Sequence, residues 1–247
     1  MRYFIKFSYV GTSYHGFQYQ PNAITVQEEI NKALSILFNK SIEITGASRT
    51  DAGVHAQQMY AHVDIQDIFD IEKAINNLNG ILSKDIAISD IFQVRKDANS
   101  RFDAISRTYN YYIINNKDVF NPYAYILYKN LDFIEMNKAC EHIIGEKDFS
   151  SFAKSKTQTY TNICNVKNAN WRQEGGVLIF TIKSNRFLRN MVRAIVGTLI
   201  KVGEGKISAE SIKDLLLKKD RSCAGQSVPA NALFLTNIEY PKDINNV

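Results

Sequence analysis

Nine consecutive residues, Ser48-Arg49-Thr50-Asp51-Ala52-Gly53-Val54-His55-Ala56, put a charged pair, a glycine and a histidine side by side. A carboxylate such as Asp51 supplies an anionic oxygen that can attack an electrophilic carbon or stabilise a cationic one. A guanidinium nearby would keep it ionised against desolvation and fix its geometry through paired hydrogen bonds. The same residues also spell a tight turn, because Asp and Gly favour turns through local hydrogen bonding and positive φ. Residue types alone leave both readings open.

Two other stretches carry polar groups at suggestive spacing. Arg186, Arg189 and Arg193 recur at intervals of three and four, which predicts one basic stripe on a helix over Leu188–Val202. A solvated basic face would give the same pattern. Thr108 to Ile114 is rich in tyrosine, and any of its tyrosines could equally be core or edge residues of a strand. His55 stands one turn past Asp51, and a lone histidine there is more often structural than catalytic. No Walker loop and no G-x-G-x-x-G occurs, so no nucleotide cofactor is expected.

The elements that must position these residues follow from periodicity. Tyr3–Tyr9 alternates as a strand. Thr25-x-x-Glu28 reads as a capping box leading into a helix with Val26, Ile30, Ala33, Leu34 and Leu37 on one face. Strands are expected over Ile42–Ala47, Met59–Ile65 and Ile86–Val94, with a helix over Asp70–Leu82 between the last two. The second half predicts a strand over Thr108–Ile114 and a helix capped by Asp132. A hairpin then spans Ile163–Trp171 and Val177–Lys183, turning at Gly175-Gly176. The helix over Leu188–Val202 follows, then a short one capped by Ser208, then a strand over Ala232–Tyr240.

Each half thus runs in the order of the split βαβ, with one extra helix in the second. The reading is an α+β chain of two ferredoxin-like (RRM-like) halves, 1–104 and 105–247. Their mostly antiparallel sheets lie side by side, with helices on one face and a cleft on the other.

Composition sets the outer limits. With 45% hydrophobic and 22% charged residues, the chain has the balance of a folded soluble protein, not a disordered one. Thirty basic against 25 acidic residues leave a net charge of +5, which permits a polyanionic partner without requiring one. Cys140, Cys164 and Cys223 are far apart and form no C-x-x-C pair, so they predict neither a zinc site nor a disulfide framework. No run of about 18 apolar residues occurs and the N-terminus lacks a secretory pattern, so a cytoplasmic protein is expected.

Arg49 to Ala56 resembles the signature of the tRNA pseudouridine synthase A family, whose catalytic aspartate falls at Asp51. The resemblance extends along the chain. It includes Tyr14-His15-Gly16-Phe17-Gln18 with Gln20-Pro21 and Thr25-Val26-Gln27, and Ser106-Arg107-Thr108-Tyr109-x-Tyr111. Asp148 to Phe152 follows, then Phe187-Leu188-x-x-Met191-Val192-Arg193 with Ile195-Val196-Gly197, and finally Ala224-Gly225, Pro229-Ala230 and Leu233 to Pro241.

The resemblance implies isomerisation of uridine to pseudouridine in the tRNA anticodon stem-loop, at positions 38, 39 and/or 40, with no cofactor and no metal. It makes Asp51 the carboxylate, Arg193 its ion-pair partner, and Tyr109 the residue that packs on the flipped uracil or takes its C5 proton. An unperturbed tyrosine pKa near 10 favours stacking first. Arg49 would meet a phosphate and hold the extruded nucleotide, and Arg189 would touch the RNA backbone. A homodimer is also implied. The chain departs from the family at Ser48 and Ala232, where Gly is usual, at Val10 (Asp), Phe17 (Trp) and Asn99 (His). Ser48 would be strained if its φ were positive, and Asn99 would lose an RNA contact.

Two other classes compete. A non-catalytic RNA-binding module of RRM type shares the topology, but its K/R-G-F/Y-G/A-F-V-x-F/Y stretch is missing. A metal-dependent hydrolase would use Asp51, His55 and His62, but no H-x-x-x-H or H-E-x-x-H pattern is present.

Overall fold

The alternation at the N-terminus produces β1 (Arg2–Tyr9), whose Tyr3, Phe4, Ile5, Phe7 and Tyr9 are buried in a computed structural model that describes residues 1–154 and 160–245. The described chain forms two compact units, Met1–Ile105 with Phe234–Val247 and Ser106–Leu233. The chain leaves the first unit after Ile105, and its last strand returns there.

In the first unit β1 lies between β3 (His55–Asp64) and β4 (Ile86–Val94), antiparallel to both. Helix α1 (Val26–Phe38) starts where Thr25 accepts a hydrogen bond from the Glu28 N–H at 3.3 Å, as the capping box predicts. Helix α2 (Ile71–Ile81) is capped by Asp70 and packs on β4. The Asn79 carboxamide bonds both the N–H and the C=O of Ile88, at 2.8 and 2.9 Å, which pins α2 to that strand.

The expected strand over Ile42–Ala47 shrinks to β2 (Thr45–Gly46), antiparallel to β3. Side chains of α1 are the reason. Ser35 and Asn31 accept from the N–H groups of Ile42 and Ile44, and Gln27 donates to the Ile44 carbonyl. Those backbone groups are satisfied by the helix and need no ladder. Strand β3 instead begins four residues early, because His55 and Ala56 pair in parallel with Phe234 and Leu235 of β10 (Leu233–Glu239).

The second unit is an antiparallel sheet in the order β5-β9-β8-β7. Its strands are β5 (Ser106–Ile114), β7 (Gly145–Asp148), β8 (Ile163–Glu174) and β9 (Val177–Ser184). The two-residue β6 (Tyr125–Ile126) adds in parallel to β5. Neither β6 nor β7 was legible from periodicity, being too short to show one. Gly175 and Gly176 have φ of 55° and 81°, as a tight β8–β9 hairpin demands. Helix α3 (Phe133–Glu141) is capped by Asp132, and Asn137 grips both backbone groups of Trp171 on β8.

Two helix starts differ from the sequence reading. Helix α4 (Met191–Gly203) begins at Met191, because Asn190 is left-handed at φ 67° and cannot continue a helix backwards. Helix α5 (Ser211–Lys218) begins with Glu210 at its N-cap, whereas Ser208 sits one turn earlier and bonds Ser211. The whole is a mixed fold of mostly antiparallel strands with five α-helices among the described residues. None of those helices is long and apolar enough to cross a membrane.

Candidate active site

The Asp51 loop is a turn, and it is clamped from outside. The Asp51 carbonyl accepts the Val54 N–H at 3.2 Å, and Gly53 sits at φ 80° in the third position, which a type II turn requires. Thr50, buried just before, shares a 2.8 Å hydrogen bond with the Tyr9 hydroxyl, and its carbonyl accepts the Phe17 N–H. Gly16, at φ 93°, lies so close that a Cβ there would stand 2.6 Å from the Thr50 carbonyl oxygen. A Cβ on Gly11 would come within 2.0 Å of the Val54 carbonyl oxygen. The two N-terminal glycines are therefore backbone seats for this loop. Within the clamp Asp51 stays half-buried and Arg49 is exposed.

His55 completes the seat. Its Nδ1 accepts the Gly11 N–H at 3.1 Å, and its ring stacks on Phe234 at 4.4 Å. His62, on the same strand, is tied through Nδ1 to Ser100, and burial, with the Arg2 guanidinium, holds its pKa below the usual value. Among the described residues no group of three His, Cys, Asp or Glu side chains is placed to hold a metal ion.

The departures from the family pattern have structural occupations. Ser48 is not among the residues with positive φ, so the expectation of strain there is overturned. Phe17 is buried, stacks on Phe7 and Tyr9, and packs so tightly on Gly46 that a Cβ there would meet its ring at 2.1 Å. The Asn99 side-chain oxygen accepts from the N–H groups of Arg101 and Phe102, closing its own turn. Ala232 is fully buried, and the Val10 N–H bonds the Asp85 carbonyl.

The second unit holds the remaining residues. Tyr109, on β5 opposite Ile182, is 6% exposed and meets the Phe187 ring edge-on at 5.1 Å. Arg193 stands in the first turn of α4, where its Nε donates to the Val228 carbonyl at 2.7 Å and its own carbonyl accepts the Val228 N–H. The next carbonyl, that of Pro229, accepts from the Tyr111 hydroxyl at 3.0 Å. Burial pushes the Tyr111 phenol far above its ordinary range, so it stays protonated and a donor. One segment therefore orients Arg193 and Tyr111 through successive carbonyls.

That segment seats on α4 by bare backbone. A Cβ on Gly197 would stand 1.8 Å from the Gln226 carbonyl oxygen, and one on Gly225 would stand 2.6 Å from that of Gly197. The predicted basic stripe does not form. Arg186 and Arg189 precede the left-handed Asn190 and lie on the β9–α4 connection, and only Arg193 is helical. Arg189 is exposed, with its carbonyl accepting the Lys154 N–H. Sequence reasoning noted Tyr111, Gly225 and Pro229 as motif letters without a role. Their signal was a glycine pair, Gly197 and Gly225, whose use depends on a contact between distant segments.

Comparison with known proteins decides the family. The profile described as tRNA pseudouridine synthase matches residues 6–103 and 139–241. The chain belongs to that family. It is similar to the tRNA pseudouridine synthase A of Bacteroides thetaiotaomicron, 48% identical over 98% of this chain and 92% of that protein. Its Bacteroides fragilis counterpart is also 48% identical, over 98% of each. The protein of that name from Francisella tularensis subsp. holarctica is 39% identical over 97% of this chain and 94% of its own length. This membership is the observation against which the RNA-binding-module and hydrolase readings fail.

Proposed function

We propose that this chain isomerises uridine to pseudouridine in tRNA, with Asp51 as the reacting carboxylate. The observation that carries the reading is the Asp51 turn, seated on Gly11 and Gly16 and braced by Tyr9 and His55, with its half-buried acid opening the turn. Such a site spends binding energy in advance on the position of one oxygen.

The reaction breaks the C1′–N1 bond, turns the uracil, joins C5 to C1′, loses the C5 proton and gains one at N1. It needs no net oxidant, reductant or external energy. Asp51 attacks or stabilises the electron-poor centre, with Arg193 in the role of its ion-pair partner. Tyr109 offers a ring against the extruded uracil, and a phenol for the C5 proton. Arg49 and Arg189 meet phosphates, and the target uridine leaves its stack at a cost of a few kcal/mol. The substrates are uridines at positions 38, 39 and 40 of the anticodon arm.

The fold reading belongs with this proposal. Strand order β4-β1-β3-β2 in the first unit and β5-β9-β8 in the second supports the reading of two ferredoxin-like halves. The working form is a cytoplasmic homodimer, which sedimentation at assay concentration would test. Tritium release from C5-labelled uridine in tRNA tests the activity itself. Release by the wild-type chain that is lost in Asp51→Asn is the expected result, and no release from any tRNA would overturn the proposal.

A further inference from the structure

Arg193 can serve a carboxylate only if its guanidinium is held in one plane, and the holder is the Val228 carbonyl. Val228 lies in an irregular stretch, held on one side by its own N–H on the Arg193 carbonyl, and a second anchor stands beside it. Ser227 is the fixed point. Its hydroxyl oxygen accepts from the Asn190 side-chain amide at 2.6 Å and from the Arg221 guanidinium at 3.0 Å. The other terminal nitrogen of Arg221 donates to the Gly225 carbonyl at 3.0 Å, and the Gly225 N–H donates to the Thr198 hydroxyl.

The two donors come from opposite sides. Asn190 is the left-handed residue that starts α4, a conformation asparagine tolerates better than most, and its amide reaches across to Ser227. Arg221 stands on the short 3-10 turn that follows α5. Both terminal nitrogens of Arg221 are given to acceptors of this one stretch, a use that a surface arginine serving RNA phosphates would not show.

We propose that Asn190, Arg221 and Ser227 are positioning residues for Arg193, acting through the Val228 carbonyl. The proposal rests on the reading of Arg193 as the partner of Asp51. In this role the three residues act on Arg193 and not on the substrate. They hold the carbonyl that sets the guanidinium plane, and a misplacement of about 1 Å at such a group can cost roughly 100-fold in rate.

The test uses the full chain, an unmodified tRNA transcript, single-turnover tritium release and tRNA affinity. Ser227→Ala removes the shared acceptor, and Asn190→Gly keeps the left-handed backbone while deleting the amide. Each should slow the single-turnover rate about tenfold or more with tRNA affinity unchanged, and Ser227→Thr should restore most of it. The decisive arm adds Ser227→Ala to Arg193→Lys, which has no Nε to be oriented. The second substitution should then cost nothing further. Wild-type rates in Ser227→Ala and Asn190→Gly, or equal losses with and without Arg193, would overturn the proposal while leaving Arg193 in the site. A wild-type rate for Arg193→Lys alone would instead overturn the underlying reading, and the proposal with it.

Discussion

Asp51 shows how far residue types reach by themselves. Its turn chemistry and its chemical potential were both readable from Asp51, Gly53 and the residues between, and the structure shows the turn. What could not be read was the seat beneath it, since Gly11 and Gly16 matter through contacts with Val54 and Thr50 that no local pattern encodes. Ser48 is the opposite case, where the family preference suggested strain and the backbone has none. A glycine there would relieve no positive φ and would add freedom to the unfolded chain. Ser48→Gly should therefore destabilise by about 0.4–1 kcal/mol, measured by urea melts, with the isomerisation rate kept. A stabilised variant would mean that the serine is strained after all.

Elements with long periodic faces or clear caps, such as α1, α2, α3 and the β8–β9 hairpin, follow their sequences closely. The failures are places where another segment outbids the local pattern. Helix α1 takes the backbone groups of Ile42 and Ile44 away from β2, and the left-handed Asn190 removes three residues, Arg189 among them, from α4. A third such long-range tie joins β3 to the turn at Ser100, through His62. Burial is the main cause that depresses the His62 pKa, aided by Arg2 and opposed by Asp64 and Asp103. The folded state therefore binds its proton less readily than the unfolded one. The stabilising contribution is complete above the unfolded value near 6.5 and shrinks as pH falls from there toward the folded pKa. His62→Gln should be less stable at neutral pH, yet lose less of its melting temperature between about pH 7 and 5. A parallel loss in both proteins would remove His62 from the acid response.

At the scale of the molecule, a net charge of +5 acquires meaning only with the family in hand. Binding to tRNA should be largely electrostatic, each phosphate contact adding about 0.7–0.9 to the slope of log affinity against log salt. Arg189→Ala should flatten that slope by about one contact's share, and an unchanged slope would return Arg189 to an ordinary solvated surface. The return of the last strand to the first unit was not legible in the element order, because it depends on the pairing of Phe234 and Leu235 with the distant His55 and Ala56. The central claim concerns one oxygen. Asp51→Asn keeps shape and hydrogen bonding but removes the anion, so tRNA affinity should remain near wild type while isomerisation in a single turnover falls to the detection limit. Measured together on that one variant, a substantial residual rate at normal affinity would contradict the account.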